Sequence, residues 1–167
     1  MVTKRNHNYR AIDTETKEWV YGSLVGDDYL VTDKLLDNIE TDGYIECWLN
    51  VIDPNSVCES VYIKDRHKTE MFECDVVAFS LDGKTYDKNH TFLLWYNREC
   101  SEMTAISLDS IYFNGYDYGN MKNPTFPYSV FALMCQDHWG DFRDIKVLGN
   151  IIDNPELLGE VDMLCVV

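Results

Sequence analysis

The sequence predicts a mainly β protein of the β-rich α+β kind, a hairpin-rich sheet with a small barrel-like C-terminal part and one or two short helical turns. Three observations carry this. Apolar and polar residues alternate with a period of two in short segments such as Tyr44–Val51 and Ile145–Ile152, which places successive side chains on opposite faces of a strand. Turn-forming residues punctuate the chain at Asp13-Thr14, Asp53-Pro54-Asn55, Lys64–Lys68 and Asp82-Gly83. Helical spacing is confined to Leu35, Leu36 and Ile39, enough for one or two turns with Thr32 or Asp33 as N-cap.

The first unit is a hairpin. Tyr9–Ile12 and Lys17–Gly22 are β-prone and flank the polar turn Asp13–Thr16. From Gly43 the alternation puts Ile45, Cys47, Leu49 and Val51 on one face, giving a half-buried strand that ends at Asp53-Pro54-Asn55. Val57–Ile63 leads into the turn at 64–68, and a return strand runs from Met71 through Phe79. Asp82-Gly83 marks a tight turn between Val76–Leu81 and Thr85–Tyr86, followed by strands at Phe92–Asn97 and Thr104–Leu108. Residues 109–128 form an aromatic loop or irregular hairpin, and Val130–Cys135 is a buried strand or short helix. Ile145–Ile152 alternates again, with Gly149 at a close-packed point or bulge. Asn154-Pro155-Glu156 has the N-cap, the N1 proline and the first-turn acid of a short helical turn, and Val161–Val167 is apolar enough for a last strand.

A chain of 167 residues suits one domain over 1–167, with an N-terminal hairpin subdomain at 1–42 and a β-barrel-like main part at 43–167. It buries enough surface to fold without metal or disulfide. The longest apolar runs, such as Phe92–Tyr96, fall far short of the roughly 20 residues of a membrane-spanning helix. The basic, polar stretch Met1–Arg10 does not read as a secretory signal. A cytoplasmic protein is expected, and there Cys47, Cys58, Cys74, Cys100, Cys135 and Cys165 act as small buried hydrophobes rather than three disulfides. Net charge is −15, made up of +3 over residues 1–10, −10 over 11–60, +2 over 61–68 and −10 over 69–167. Such a surface repels phosphate backbones, so direct nucleic-acid binding is disfavoured and a protein partner with a basic surface is favoured.

Three segments together resemble the YopX family of phage and prophage proteins. They are Tyr9–Asp13 with Lys17–Val20, then Lys64–Val77, and Val147–Leu158, whose Gly-Asn-Ile followed by Asn-Pro-Glu-Leu-Leu is the most specific. They bracket nearly the whole chain, with no match between Phe79 and Asp144. Tyr62, Lys68 and Cys74 stand where the family usually has glycine, so the turn at 64–68 is expected to take a different type here. The resemblance implies a mainly β fold with a small barrel-like sheet. It implies no enzymatic activity, cofactor or catalytic residue.

The residues themselves point the same way. Cys135-x-x-His138, with Asp137 and Asp141 nearby, has metal-ligand spacing, but a structural zinc site needs a second such pair and none is present. No recognised context surrounds any cysteine as a nucleophile, and the acidic pairs follow from number alone. No catalytic, cofactor-binding or metal-binding residue is therefore assigned. The candidate partner-binding residues are Tyr112, Phe113, Tyr116, Tyr118, Phe126 and Tyr128, because tyrosine-rich loops offer large contact area at low entropic cost. The same rings could instead pack over a sheet. The expected function is that of an accessory protein acting by protein binding, with a second copy of the chain as one admissible partner. The alternatives are an acidic nucleic-acid mimic that inhibits a host nuclease, restriction or CRISPR effector, and a thiol- or metal-dependent hydrolase.

Overall fold

The structure, a computed structural model, describes residues 8–34, 46–65, 67–80, 86–97, 102–108, 112–113, 116–117, 125–127 and 144–158. For 33–34, 46–48, 86–90, 112–113 and 116–117 it describes the backbone alone. The chain divides into two compact units, Met1–Tyr62 and Ile63–Val167. Among the described residues every strand pairing is antiparallel, and no helix is long and apolar enough to cross a membrane.

The first unit contains β1 (Tyr9–Ile12), β2 (Trp19–Val25), β3 (Tyr29–Lys34), β4 (Glu46–Val51) and the start of β5 (Cys58–Lys64), hydrogen-bonded in the order β4-β3-β2-β1-β5. β2 serves two neighbours in succession. Residues 19–22 pair with β1, and residues 23–25 pair with β3. Gly22 sits at the change of partner, where an added Cβ would run into the Val31 carbonyl oxygen and approach Leu30 Cδ2 to 2.6 Å. The sheet curls so far that Asp13 bridges Ile52, beyond the end of β4. Its inner face packs Ala11, Leu30 and Ile52 with Tyr9, Val20, Leu24 and Val57.

The β1–β2 turn is held by one carboxylate. Asp13 Oδ1 accepts the N–H groups of Glu15 (2.9 Å) and Thr16 (2.8 Å) and the Thr16 hydroxyl (3.2 Å). The Thr16 N–H, more than any other group, holds the Asp13 pKa below its ordinary value. The Glu15 N–H, the Thr16 hydroxyl and Lys17 add to this effect, and burial opposes it. A depressed carboxylate stabilises the fold above the ordinary aspartate range and loses that contribution as pH falls through it. Asp13→Ala should therefore cost about 2 kcal/mol at neutral pH. The gap between wild type and variant should narrow below about pH 4, as read by urea denaturation across a pH series.

In the second unit β5 runs on to the Asp65–Thr69 turn and β6 (Glu70–Phe72). β7 (Asp75–Ser80), β8 (Tyr86–Asn97), β9 (Glu102–Ser107), β12 (Thr125–Pro127) and β13 (Asp144–Asn150) form a sheet in the order β12-β9-β8-β7-β13. Its middle is buried on both faces, and every residue of β7 is buried. On one face Val76, Leu93 and Ile106 pack under Leu158, with Leu157 and Ile151 beside them. On the other, Phe92 meets Phe79 and Phe126 edge to face, at centroid distances of 5.5 and 5.8 Å. Between Val147 and Gly149 β13 slips register in a bulge. A Cβ on Gly149 would lie 2.9 Å from Asn154 Oδ1 and Leu157 Cδ1.

The expected mainly β class holds, with 3-10 turns at Pro54–Ser56 and Pro155–Leu158 as the helical elements among the described residues. Several particulars differ. Residues 29–34, read partly as a helix start, form β3, so Thr32 and Asp33 lie in a strand; residues 35–42 lie outside the described residues. A boundary at 42 would separate β3 from β4, which pair over six residues from Tyr29↔Val51 to Lys34↔Glu46. The return strand expected from Met71 to Phe79 is broken into β6 and β7, because Cys74 is left-handed (φ 67°) and the Asp75 carboxylate accepts the Phe72 N–H at 2.8 Å. The turn at Asp82-Gly83, the segment Val130–Cys135 and the tail Val161–Val167 lie outside the described residues.

The glycine positions of the family pattern give a clear result. Tyr62 (φ 57°), Lys68 (φ 66°) and Cys74 (φ 67°) all adopt the left-handed backbone that glycine favours. A different turn at 64–68 was expected, but Lys68 holds that backbone without being glycine. Its N–H bonds the Asp65 carbonyl, and the Asp65 carboxylate accepts the N–H groups of His67 and Thr69, both at 2.8 Å. Left-handed geometry costs an L-residue about 1–2 kcal/mol, and glycine returns part of that gain as unfolded-state entropy. Lys68→Gly should thus raise stability by roughly 0.5–1 kcal/mol, seen as a higher denaturation midpoint at unchanged slope.

Candidate functional site

The outer face of the first sheet is built by strand parity. Directly paired residues share a face, and so do residues two apart along a strand. Val25 pairs with Tyr29 and Tyr29 with Val51; Ser23 pairs with Val31 and Val31 with Leu49. These rows place Tyr21, Ser23, Val25, Tyr29, Val31, Leu49 and Val51 on one surface across β2, β3 and β4. Tyr21 and Tyr29 are each 40% exposed, Val25 and Val51 50%, and Leu49 60%. Contiguous exposed apolar surface on a folded chain marks an interaction site far more often than scattered apolar residues do. The opposite face of the same strands carries the core, with Leu30 fully buried.

Exposed charge around this face is largely negative. Asp27 and Asp28 form the β2–β3 turn between Val25 and Tyr29. Thr14 donates both its N–H (2.8 Å) and its hydroxyl (3.0 Å) to the Val51 carbonyl, which sets Glu15 at the same corner. Glu15, Glu18, Asp27 and Asp28 are all exposed, against Lys17. Arg10, by contrast, is buried and lies 4.7 Å over the Trp19 ring. There its guanidinium stacks on an aromatic face and is withdrawn from the surface.

The sequence placed Leu49 and Val51 together on one face of a half-buried strand; the structure exposes both. Alternation separates the two faces of a strand without saying which is covered. The aromatic segment at 109–128 lies partly within the described residues. It holds a short hairpin of β10 (Tyr112–Phe113) and β11 (Tyr116–Asp117), paired Tyr112↔Asp117 and Phe113↔Tyr116, and further on β12. Tyr112, Phe113 and Tyr116 are placed by backbone alone, and Tyr118 and Tyr128 lie outside the described residues. Phe126 is a correction. It is 8% exposed and packs on Phe92, so this ring belongs to the core and not to a binding surface. Cys135 and His138 lie outside the described residues. Among those described, no group of three or more His, Cys, Asp or Glu side chains is placed to hold a metal. Cys58 and Cys74 are buried, and the Cys58 thiol donates to the Ser56 carbonyl at 3.4 Å.

The described residues define an antiparallel β protein with two main sheets and an exposed apolar face on the first. The family model described as YopX protein matches residues 8–159. The chain belongs to the YopX family. Among solved structures it is similar to protein EF1440 from Enterococcus faecalis, at 21% identity over 93% of this chain and 99% of that one, with a TM-score of 0.40. A comparison with curated proteins returns no match.

Proposed function

We propose that this YopX-family chain is a cytoplasmic phage or prophage accessory protein that acts by binding a protein partner rather than by catalysis. The observation that carries the reading is the contiguous face of Tyr21, Val25, Tyr29, Leu49 and Val51, each 40–60% exposed. Acids at its border favour a partner whose own surface is basic, through faster encounter and correct orientation. Co-purification from infected host extract at low and high salt tests this, run beside the double variant Tyr29→Ser/Leu49→Ser. A partner held by wild type and lost by a folded double variant supports the face. Recovery of no partner at either salt, or equal recovery by both proteins, counts against it.

A second reading, an acidic nucleic-acid mimic that blocks a host nuclease, restriction or CRISPR effector, is favoured by the net charge of −15. It differs in one readout. Inhibition across a nuclease panel should then weaken steeply with added salt and survive the double variant, because charge rather than apolar contact would carry it.

A further inference from the structure

We propose that the apolar face is one half of a strand-addition site, in which the outer edge of β4 takes up an extended segment of the partner bearing apolar residues at alternate positions and Lys or Arg among the rest. The inference rests on the protein-binding reading above and specifies how the partner is held.

The backbone carries the argument. In an antiparallel ladder successive residues alternate between directing their N–H and C=O at the neighbouring strand and directing them away. The Val51 carbonyl is bonded to the Thr14 N–H, away from β3, while the Ile52 N–H bonds the Asp28 carbonyl on the β3 side. Parity then directs the N–H and C=O of Leu49 and Cys47 away from β3 as well. Among the described residues β4 has β3 as its one sheet neighbour. The Asp13–Ile52 bridge closes the sheet at the Val51 end, which leaves the Leu49 side as the open edge among the described residues. An unpaired edge is a ready template for another strand, and proteins usually blunt one with charge, proline or a bulge. Here the side chain at the edge is instead leucine, 60% exposed.

The occupant follows from the surroundings. A strand added beside Leu49 places every second side chain on the outer face, where the one opposite Leu49 extends the Val31–Leu49 row; those positions are apolar. Glu15, Asp27 and Asp28 favour cationic residues near its end. A second copy of the chain fits poorly, because it would bring these same acids together. The five exposed side chains also present only on the order of 400 Å2, against about 800 Å2 per partner in a stable interface. A short strand gains main-chain hydrogen bonds and needs less area.

The test uses the full-length protein and a displayed library of random peptides, with the enriched sequences then synthesised. The expected result is peptides that alternate apolar residues with Lys or Arg and slow amide exchange at Leu49 by about tenfold or more. Leu49→Pro removes an N–H that β3 does not use, so it should weaken their binding about tenfold or more. Leu49→Val should bind as wild type does. Peptides that bind Leu49→Pro as well as wild type, leave the Leu49 amide unprotected and yet require Tyr29 would overturn strand addition while leaving the face reading in place. Absence of any enriched peptide, or binding indifferent to both Leu49→Pro and Tyr29→Ser, removes both. If Leu49→Pro does not fold, exchange at the wild-type Leu49 amide decides alone.

Discussion

Replacing Phe92 by alanine should lower the stability of the second unit by about 4 kcal/mol, within the range for deleting a fully buried aromatic ring. Phe92 has no exposed surface and stands at the centre of β8, paired with Val77 on β7 and Ser107 on β9. Its ring is in contact with Phe79 on one side and Phe126 on the other, so truncation removes two edge-to-face contacts at once and leaves a cavity between strands that cannot close on it. Phe126→Leu keeps most of the volume and should cost less, roughly 1 kcal/mol. Urea denaturation of both variants measures the difference. A loss under about 2 kcal/mol for Phe92→Ala would mean that the aromatic cluster is not the core of that sheet.

Gly22→Ala is the second large effect, expected at about 3 kcal/mol against the first unit. One methyl group suffices because the obstacle is backbone. The added carbon meets the Val31 carbonyl, which belongs to a paired strand, and Leu30, which is fully buried. Neither can move without breaking the β2–β3 pairing or the packing of Leu30 on Ala11 and Ile52. Glycine at this position lets one strand turn from one partner to the next. Amide exchange in β1, β2 and β3 should accelerate together in the variant, while residues of the second unit keep their protection.

Much of the fold could be read from residues that act locally. Asp53 caps the Pro54–Ser56 turn by accepting the Asn55 N–H at 3.0 Å. The Leu157 N–H bonds the Asn154 carbonyl at 3.0 Å in the Pro155–Leu158 turn. Each signal lies within a few residues of its effect, so the hairpin at Asp13, the stop at Asp53 and the turn after Asn154 were all legible. Effects that depend on distant chain were not. β3 follows an Asp-Asp turn with a run too short to declare its period. The break at Cys74 arises because a non-glycine residue holds a left-handed backbone, which composition cannot reveal. The candidate site was missed for a related reason. Tyr21, Val25, Tyr29, Leu49 and Val51 are separated in sequence and form one surface only after three strands align. Phe126 misled in the opposite direction, since its place in an aromatic loop hid its pairing with Ala105.

The turn carboxylates divide the protein's acidity into two kinds. Asp13, Asp53, Asp65 and Asp75 each accept a backbone N–H at a chain reversal, so they are architectural, and neutralising them would confuse lost recognition with lost folding. Glu15, Glu18, Asp27 and Asp28 carry exposed side chains outside that set. A mutagenic charge scan restricted to these four would vary the electrostatic field seen by a visiting molecule while leaving the hairpins intact.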